Sequence, residues 1–145
     1  MRVAIGADDT GALTDVLVAE LERRGHALER FGALLDGRAD WASIGRDVGS
    51  AVAAGRADVG VVCCWTGTGI SIAANKVAGV RAALCADAAT AAGARTWNDA
   101  NVLALSLRAT SPAVGLEILD AFLTTNASDD PGVRAEIAKL SEGPA

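Results

Sequence analysis

Apolar positions along the chain follow two rhythms. Arg2-Val3-Ala4-Ile5-Gly6 is a short run of the kind that forms a buried strand, and Leu13, Val16, Leu17 and Leu21 then recur at helical spacing until Gly25 offers a stop. His26 to Phe31 predicts a second strand, and Ile44, Val48, Ala51 and Val52 mark an amphipathic helix that ends near Gly55. Asp58 to Cys64 is almost wholly apolar, as in a parallel strand covered on both faces, and Gly69 to Lys76 supplies the helix after it. Val80 to Leu84 and Asn101 to Leu105 predict strands four and five. Between them Asp87 caps a short alanine-rich helix; beyond them Ser111-Pro112 sets an N-cap and first-turn proline before Val114, Ile118, Leu119 and Phe122. A last helix is predicted from Pro131 to Leu140, and the tail from Ser141 to Ala145 is expected to fray.

Strands alternating with helices in this way predict an α/β fold, a Rossmann-like, doubly wound, parallel five-stranded sheet between two helical layers. In such sheets ligands sit beyond the carboxyl ends of the strands, which selects three loops: Gly6 to Gly11, Cys63 to Gly69, and the region around Cys85 to Asp87.

Length and charge narrow the function. The chain has 145 residues, 51% of them hydrophobic, which suits one domain spanning residues 1–145. A net charge of -5 without a Lys/Arg cluster argues against nucleic acid or an anionic membrane as partner. No apolar run approaches the roughly 18 residues of a spanning helix, and MRVAIGADD is unlike a signal peptide, so a cytoplasmic location is expected. Three cysteines, two of them adjacent, do not form a disulfide framework, and with His26 as the single histidine no metal site is expected.

Each loop carries candidate chemistry beside a plainer structural reading. Thr66-Gly67-Thr68-Gly69, at a strand end and a helix start, either exposes backbone N–H groups to a phosphate or oxyanion or is a tight turn that needs glycine. It is neither a Walker loop nor a GxGxxG fingerprint, since Ser71 and Ile72 stand where a glycine or lysine would be needed. Cys64 precedes the helix, whose partial positive charge favours a thiolate base or nucleophile; the alternative is a small packed hydrophobe, the reading kept for Cys63 and Cys85. Asp8 and Asp9 either meet substrate hydroxyls or cap the helix near Thr10. In Trp97-Asn98-Asp99-Ala100-Asn101, Asn98 either orients a sugar hydroxyl or serves a turn.

The ordered combination VAIGADDTG, CCWTGTGISIAANKVAGVRAALCAD and NDANVLAL resembles the ribose-5-phosphate isomerase B and galactose-6-phosphate isomerase family, from the first strand to about Phe122. That resemblance implies an aldose–ketose isomerase without metal or other cofactor, working on a sugar or sugar phosphate as a homodimer or homotetramer. It implies that Cys64 moves a proton between neighbouring carbons through a cis-enediolate, with Thr66 beside it and the N–H groups of Gly67 and Gly69 holding the oxyanion. Asp8, Asn98 and Arg108 match family positions that meet substrate, and Ser71 belongs to the same matched segment. The C-terminal helix, about 131–140, is by the same resemblance a candidate for exchange with a partner subunit.

The departures are aromatic and acidic. Asp9 stands where the family usually has histidine, and Trp97 where it has the histidine assigned to ring opening. Trp65 replaces a loop glycine and Trp41 a tyrosine, so all three tryptophans fall at or near pocket positions. The C-terminal arginines have Arg134 as a misaligned substitute. Two further readings therefore stand beside the isomerase: a non-catalytic or partner-dependent subunit, and a proton-transfer isomerase or epimerase of a non-phosphorylated hydroxycarbonyl compound.

Overall fold

The computed structural model describes residues 1–141, so the tail expected to fray lies from residue 142 outside the described residues. Strands and helices alternate through β1 (Arg2–Ala7), α1 (Ala12–Arg23), β2 (Ala27–Gly32), α2 (Trp41–Ala53), β3 (Val59–Cys64), α3 (Thr68–Asn75), β4 (Ala82–Leu84), α4 (Ala88–Asn98) and β5 (Val102–Ser106). Two helices follow, α5 (Pro112–Thr124) and α6 (Pro131–Lys139). All strand pairs are parallel and the sheet order is β2-β1-β3-β5-β4, the doubly wound arrangement that the periodicity predicts.

The sheet buries both faces. Val3, Ile5, Val61 and Leu103 pack with Leu17, Leu21, Ile118 and Phe122, which puts α1 and α5 on one side. Ala4, Val62 and Ala104 pack with Ile44, Val48 and Ile70, which puts α2 and α3 on the other. The two helices of that second layer approach closely because α2 carries Gly45, where a side chain would stand 2.7 Å from the Ile70 carbonyl oxygen. Among the described residues no helix is long and apolar enough to cross a membrane.

Two element ends differ from the apolar pattern, each for a local reason. α2 begins at Trp41, ahead of its apolar stripe, because the Asp40 carboxylate accepts from the N–H groups of Ala42 and Ser43 at 3.1 and 3.3 Å. β4 is shorter than Val80–Leu84 because side-chain amides replace a neighbouring strand along the segment that leads into it. Asn101 Oδ1 accepts from the Arg81 N–H at 2.8 Å, and Asn101 Nδ2 donates to the Gly79 carbonyl at 2.9 Å. On the other edge of β4, Asn75 Nδ2 donates to the Ala82 carbonyl at 2.9 Å while Asn75 Oδ1 accepts from the Ala82 N–H at 2.8 Å. Both asparagines lie in segments that carry the resemblance, SIAANK and NDANVLAL, and their work here is to hold an edge strand in register.

Asn101→Ala leaves the part-buried Arg81 N–H without its acceptor, and stability should fall by about 1–2 kcal/mol. Urea denaturation checks this: the midpoint should drop with the m-value unchanged.

Candidate active site

Parallel register and the two-residue pleat decide which side chains meet at the carboxyl rim of the sheet. Cys63 pairs with Ala7 of β1 and Cys64 with Ser106 of β5, while the Asp8 N–H donates to the Cys63 carbonyl at 3.3 Å and continues the ladder past β1. Alternate residues face opposite layers. Cys63 therefore points into the α1/α5 core, where complete burial pushes its thiol up to about 12. Cys64 points toward α2 and α3, only 5% exposed. By the same alternation Asp8 and Ser106 lie on the Cys64 face, following Ala4 in β1 and Ala104 in β5.

The turn after β3 aims α3 at this rim. Gly67 has φ 75, a left-handed conformation, and a side chain there would stand 2.5 Å from Leu84 Cδ1 and 2.9 Å from the Leu105 carbonyl. The turn is tied to the loop after β5: the N–H groups of Leu107 and Arg108 donate to the Cys64 and Trp65 carbonyls, each at 2.9 Å. Ser106 Oγ donates to the Trp65 carbonyl at 2.8 Å and accepts from the Ala109 N–H at 3.0 Å. Trp41 covers the first turn of α3, its ring lying where a Gly69 side chain would otherwise be, about 3 Å from that position.

Capping does not account for the two aspartates. The N-cap of α1 is Gly11, and Thr14 Oγ1 both accepts from its N–H and donates to its carbonyl at 2.9 Å. Among the described residues Asp9 accepts only from the Thr10 N–H, at 2.8 Å, and Asp8 Oδ1 is buried without a hydrogen-bond partner. Burial raises the Asp8 carboxyl above the usual range, and the charge of Asp9 adds to that. A half-buried carboxylate with a free acceptor, one strand from a thiol, is a group poised for a ligand hydroxyl.

Two clefts flank the turn. One, of about 260 Å³, is lined by Thr66, Leu84, Cys85, Ser106, Arg108 and Thr110. The other, of about 270 Å³, is lined by Asp9, Thr10, Trp65, Leu107, Thr110 and Pro112. Thr110 borders both, so they adjoin across the end of β5.

The residues predicted from sequence divide into those the fold gathers and those it does not. Asp8, Asp9, Cys64, Trp65, Thr66, Gly69 and Arg108 all lie at the carboxyl rim. Gly67 is there too, but its N–H donates to the Cys64 carbonyl at 3.2 Å and is not free for an oxyanion. The donors left at the start of α3 are Gly69 and Ile70, whose N–H groups meet no acceptor among the described residues. Ser71 is buried in the second turn, its N–H donating to the Gly67 carbonyl at 3.2 Å, so it lines neither cleft. Trp97 and Asn98 end α4, which runs back to the amino end of the sheet; Asn98 lies beside Arg81, Ala82 and Ala100 in a separate cleft of about 350 Å³. β5 separates them from the rim, about 13 Å of strand at the usual rise per residue. Ser106 carries no signal along the chain, because its role appears only once Cys64 and Ser106 are in register.

Comparison with known proteins agrees with this architecture. The family described as Ribose/Galactose Isomerase matches residues 3–140. Ribose-5-phosphate isomerase B of Escherichia coli is 40% identical over 123 residues, covering 84% of this chain and 83% of that protein. Galactose-6-phosphate isomerase subunit LacB of Clostridium acetobutylicum is 38% identical over 124 residues, covering 85% of this chain and 72% of that protein. Among solved structures, ribose-5-phosphate isomerase B of Clostridium thermocellum superposes with a TM-score of 0.90 at 37% identity, covering 97% of this chain and 95% of that one. With its sheet order, its rim chemistry and a match over nearly its whole length, the chain belongs to the ribose/galactose isomerase family.

Proposed function

We propose that this protein interconverts the aldose and ketose forms of a sugar phosphate, with Cys64 as the base. The observation that carries the reading is the placement of Cys64 and Asp8 on one sheet face, beneath the unpartnered first-turn amides of α3. The Cys64 thiolate takes the proton from the hydroxyl-bearing carbon beside the carbonyl, the electron pair forms the enediolate C=C bond, and negative charge moves to oxygen. The amides of Gly69 and Ile70 are the donors for that oxygen, reinforced by the α3 dipole. Return of the proton to the neighbouring carbon, with the hydroxyl proton passing from one enediolate oxygen to the other, completes the isomerisation with no change in net oxidation state. Asp8 accepts a hydrogen bond from a substrate hydroxyl, and Arg108, exposed beside Thr66, is the cation on hand for the phosphate.

The working unit is a homodimer or a multiple of it, with the site shared between copies. Trp97 and Asn98 stand at the far end of the sheet from Cys64 within one chain, so they join it only from a second molecule. α6, which buries none of its residues, is the element placed to lie against that second copy.

Proton exchange at the carbon beside the carbonyl, followed by NMR in deuterated water with aldose and ketose phosphates, tests the chemistry. Cys64→Ala should lower the exchange rate by about 10²- to 10⁴-fold, and a variant that keeps wild-type exchange would remove Cys64 from the mechanism. Cys63→Ala is the control: it should keep exchange while losing about 1 kcal/mol of stability, since that thiol is packed in the core.

Subunit sharing is tested by mixing. Cys64→Ala and Asn98→Ala proteins, each impaired alone, should regain about a quarter of wild-type activity after unfolding and refolding together, because half the dimers are then hybrids with one intact site. No recovery in a mixture shown to contain hybrids would mean that each chain holds its site alone.

A further inference from the structure

α4 ends on a residue type that capping alone does not call for. Asp99 has φ 44 and ψ 46, and among the described residues it is the one residue other than glycine with a positive φ. The backbone already closes the helix: the Asp99 N–H donates to the Arg95 carbonyl at 3.1 Å and the Ala100 N–H to the Ala94 carbonyl at 3.0 Å. Glycine would take this left-handed conformation at lower cost, but it could not make the contacts of the carboxylate. Oδ2 accepts from Arg81 Nη2 at 3.1 Å, Oδ1 lies 3.4 Å from Arg95 Nη1, and the Asp99 carbonyl accepts from Arg81 Nε at 2.8 Å. Each arginine is anchored in a different element. Arg81 leads into β4, where its N–H donates to Asn101 Oδ1. Arg95 donates through Nε to the Thr125 carbonyl at the end of α5, at 3.3 Å, and its guanidinium lies 5.4 Å from the centre of the Phe122 ring. The two side chains are only 21% and 18% exposed, so water screens these pairs less than it screens a surface ion pair.

Asn98 is exposed and immediately precedes this point, so the direction of its side chain is inherited from the backbone that Asp99 fixes. We propose that Asp99 is a positioning residue: bridging Arg81 and Arg95, it locks the end of α4 so that Asn98 stands preset for the rim of a second copy. A group that orients substrate loses rate when it is displaced by as little as about 1 Å, and a helix end is where a chain otherwise frays. An aspartate held between guanidiniums tied to β4 and to α5 removes that freedom before the second copy docks. This assignment rests on the shared-site reading above.

Asp99→Asn keeps a residue that tolerates the left-handed conformation and removes the charge that both arginines meet. Proton exchange with sugar phosphates should fall about ten- to a hundredfold, with the circular dichroism spectrum and the dimer unchanged. Which chain carries the damage separates positioning from general weakening. Refolded with Cys64→Ala, Asp99→Asn should recover about a quarter of wild-type activity, because one hybrid site then joins an intact Cys64 to an intact Asn98. Refolded with Asn98→Ala it should recover nothing, since both substitutions strike the same half of the site. Arg81→Lys keeps its charge but loses the fork that reaches both the carbonyl and the carboxylate of Asp99. It should show the same pattern with a smaller loss, and it carries the test should Asp99→Asn not fold. Wild-type exchange in Asp99→Asn, recovery with Asn98→Ala, or recovery with neither protein would overturn the proposal while Cys64→Ala and Asn98→Ala still complement each other. If that pair also fails in a mixture shown to contain hybrids, the shared-site reading itself is wrong and the positioning role falls with it.

Discussion

Position 67 tolerates no side chain, and the site depends on that fact. A Cβ there would collide with Leu84 at the end of β4 and with the Leu105 carbonyl of β5, and the backbone angle is one that L residues avoid. Only because glycine occupies this point does the chain leave β3 directly after Cys64 and enter α3 within a few residues. The thiol then lies at the last paired position of a central strand, and the helix delivers its unpaired amides to the same rim. The hydrogen bonds from Leu107, Arg108 and Ser106 fix the turn from the β5 side, so the geometry is held by backbone groups in two neighbouring strands.

Adjacent cysteines show how strongly the pleat governs chemistry. Cys63 and Cys64 share a strand, a sequence context and nearly the same burial. One faces a closed apolar layer that keeps it a neutral thiol; the other faces the layer that ends in the start of a helix. A shift of one residue in the β1/β3/β5 register would exchange them and bury Asp8 against α1. The small and β-branched residues that pair along these strands therefore protect the site as much as the core.

Hydrophobic rhythm made the fold legible, since five apolar runs separated by helical stripes allow little else. The rim loops followed from topology, and Asp8, Cys64 and Thr66 from the residues that carry the resemblance. What stayed hidden depends on contacts across the sheet. Asn75 and Asn101 stand within matched segments with no role that spacing assigns, and they complete the hydrogen bonding of a three-residue strand and the turn before it. The occupied N–H of Gly67 and the inward direction of Ser71 follow from how tightly the helix starts, which spacing along the chain does not report.

The far placement of Trp97 and Asn98 follows from the winding of the fold. In a parallel sheet every helix returns the chain from the carboxyl end of one strand to the amino end of the next, so a helix's last residues stand opposite the loops that hold ligands. Sequence proximity to a strand conceals this: Asn98 is four residues before β5, but before its wrong end. Side chains at the close of α4 can meet strand-end chemistry only between molecules, when two copies pack with one rim beside the other's amino edge. The exposed Trp97, the open cleft beside Asn98 and the unburied α6 all lie toward that edge or the α4 surface next to it. With Cys64, Asp8 and the free amides of α3 at one end of the sheet and Trp97 and Asn98 at the other, the proposed shared site requires a two-fold arrangement, in which each copy would complete the other's rim.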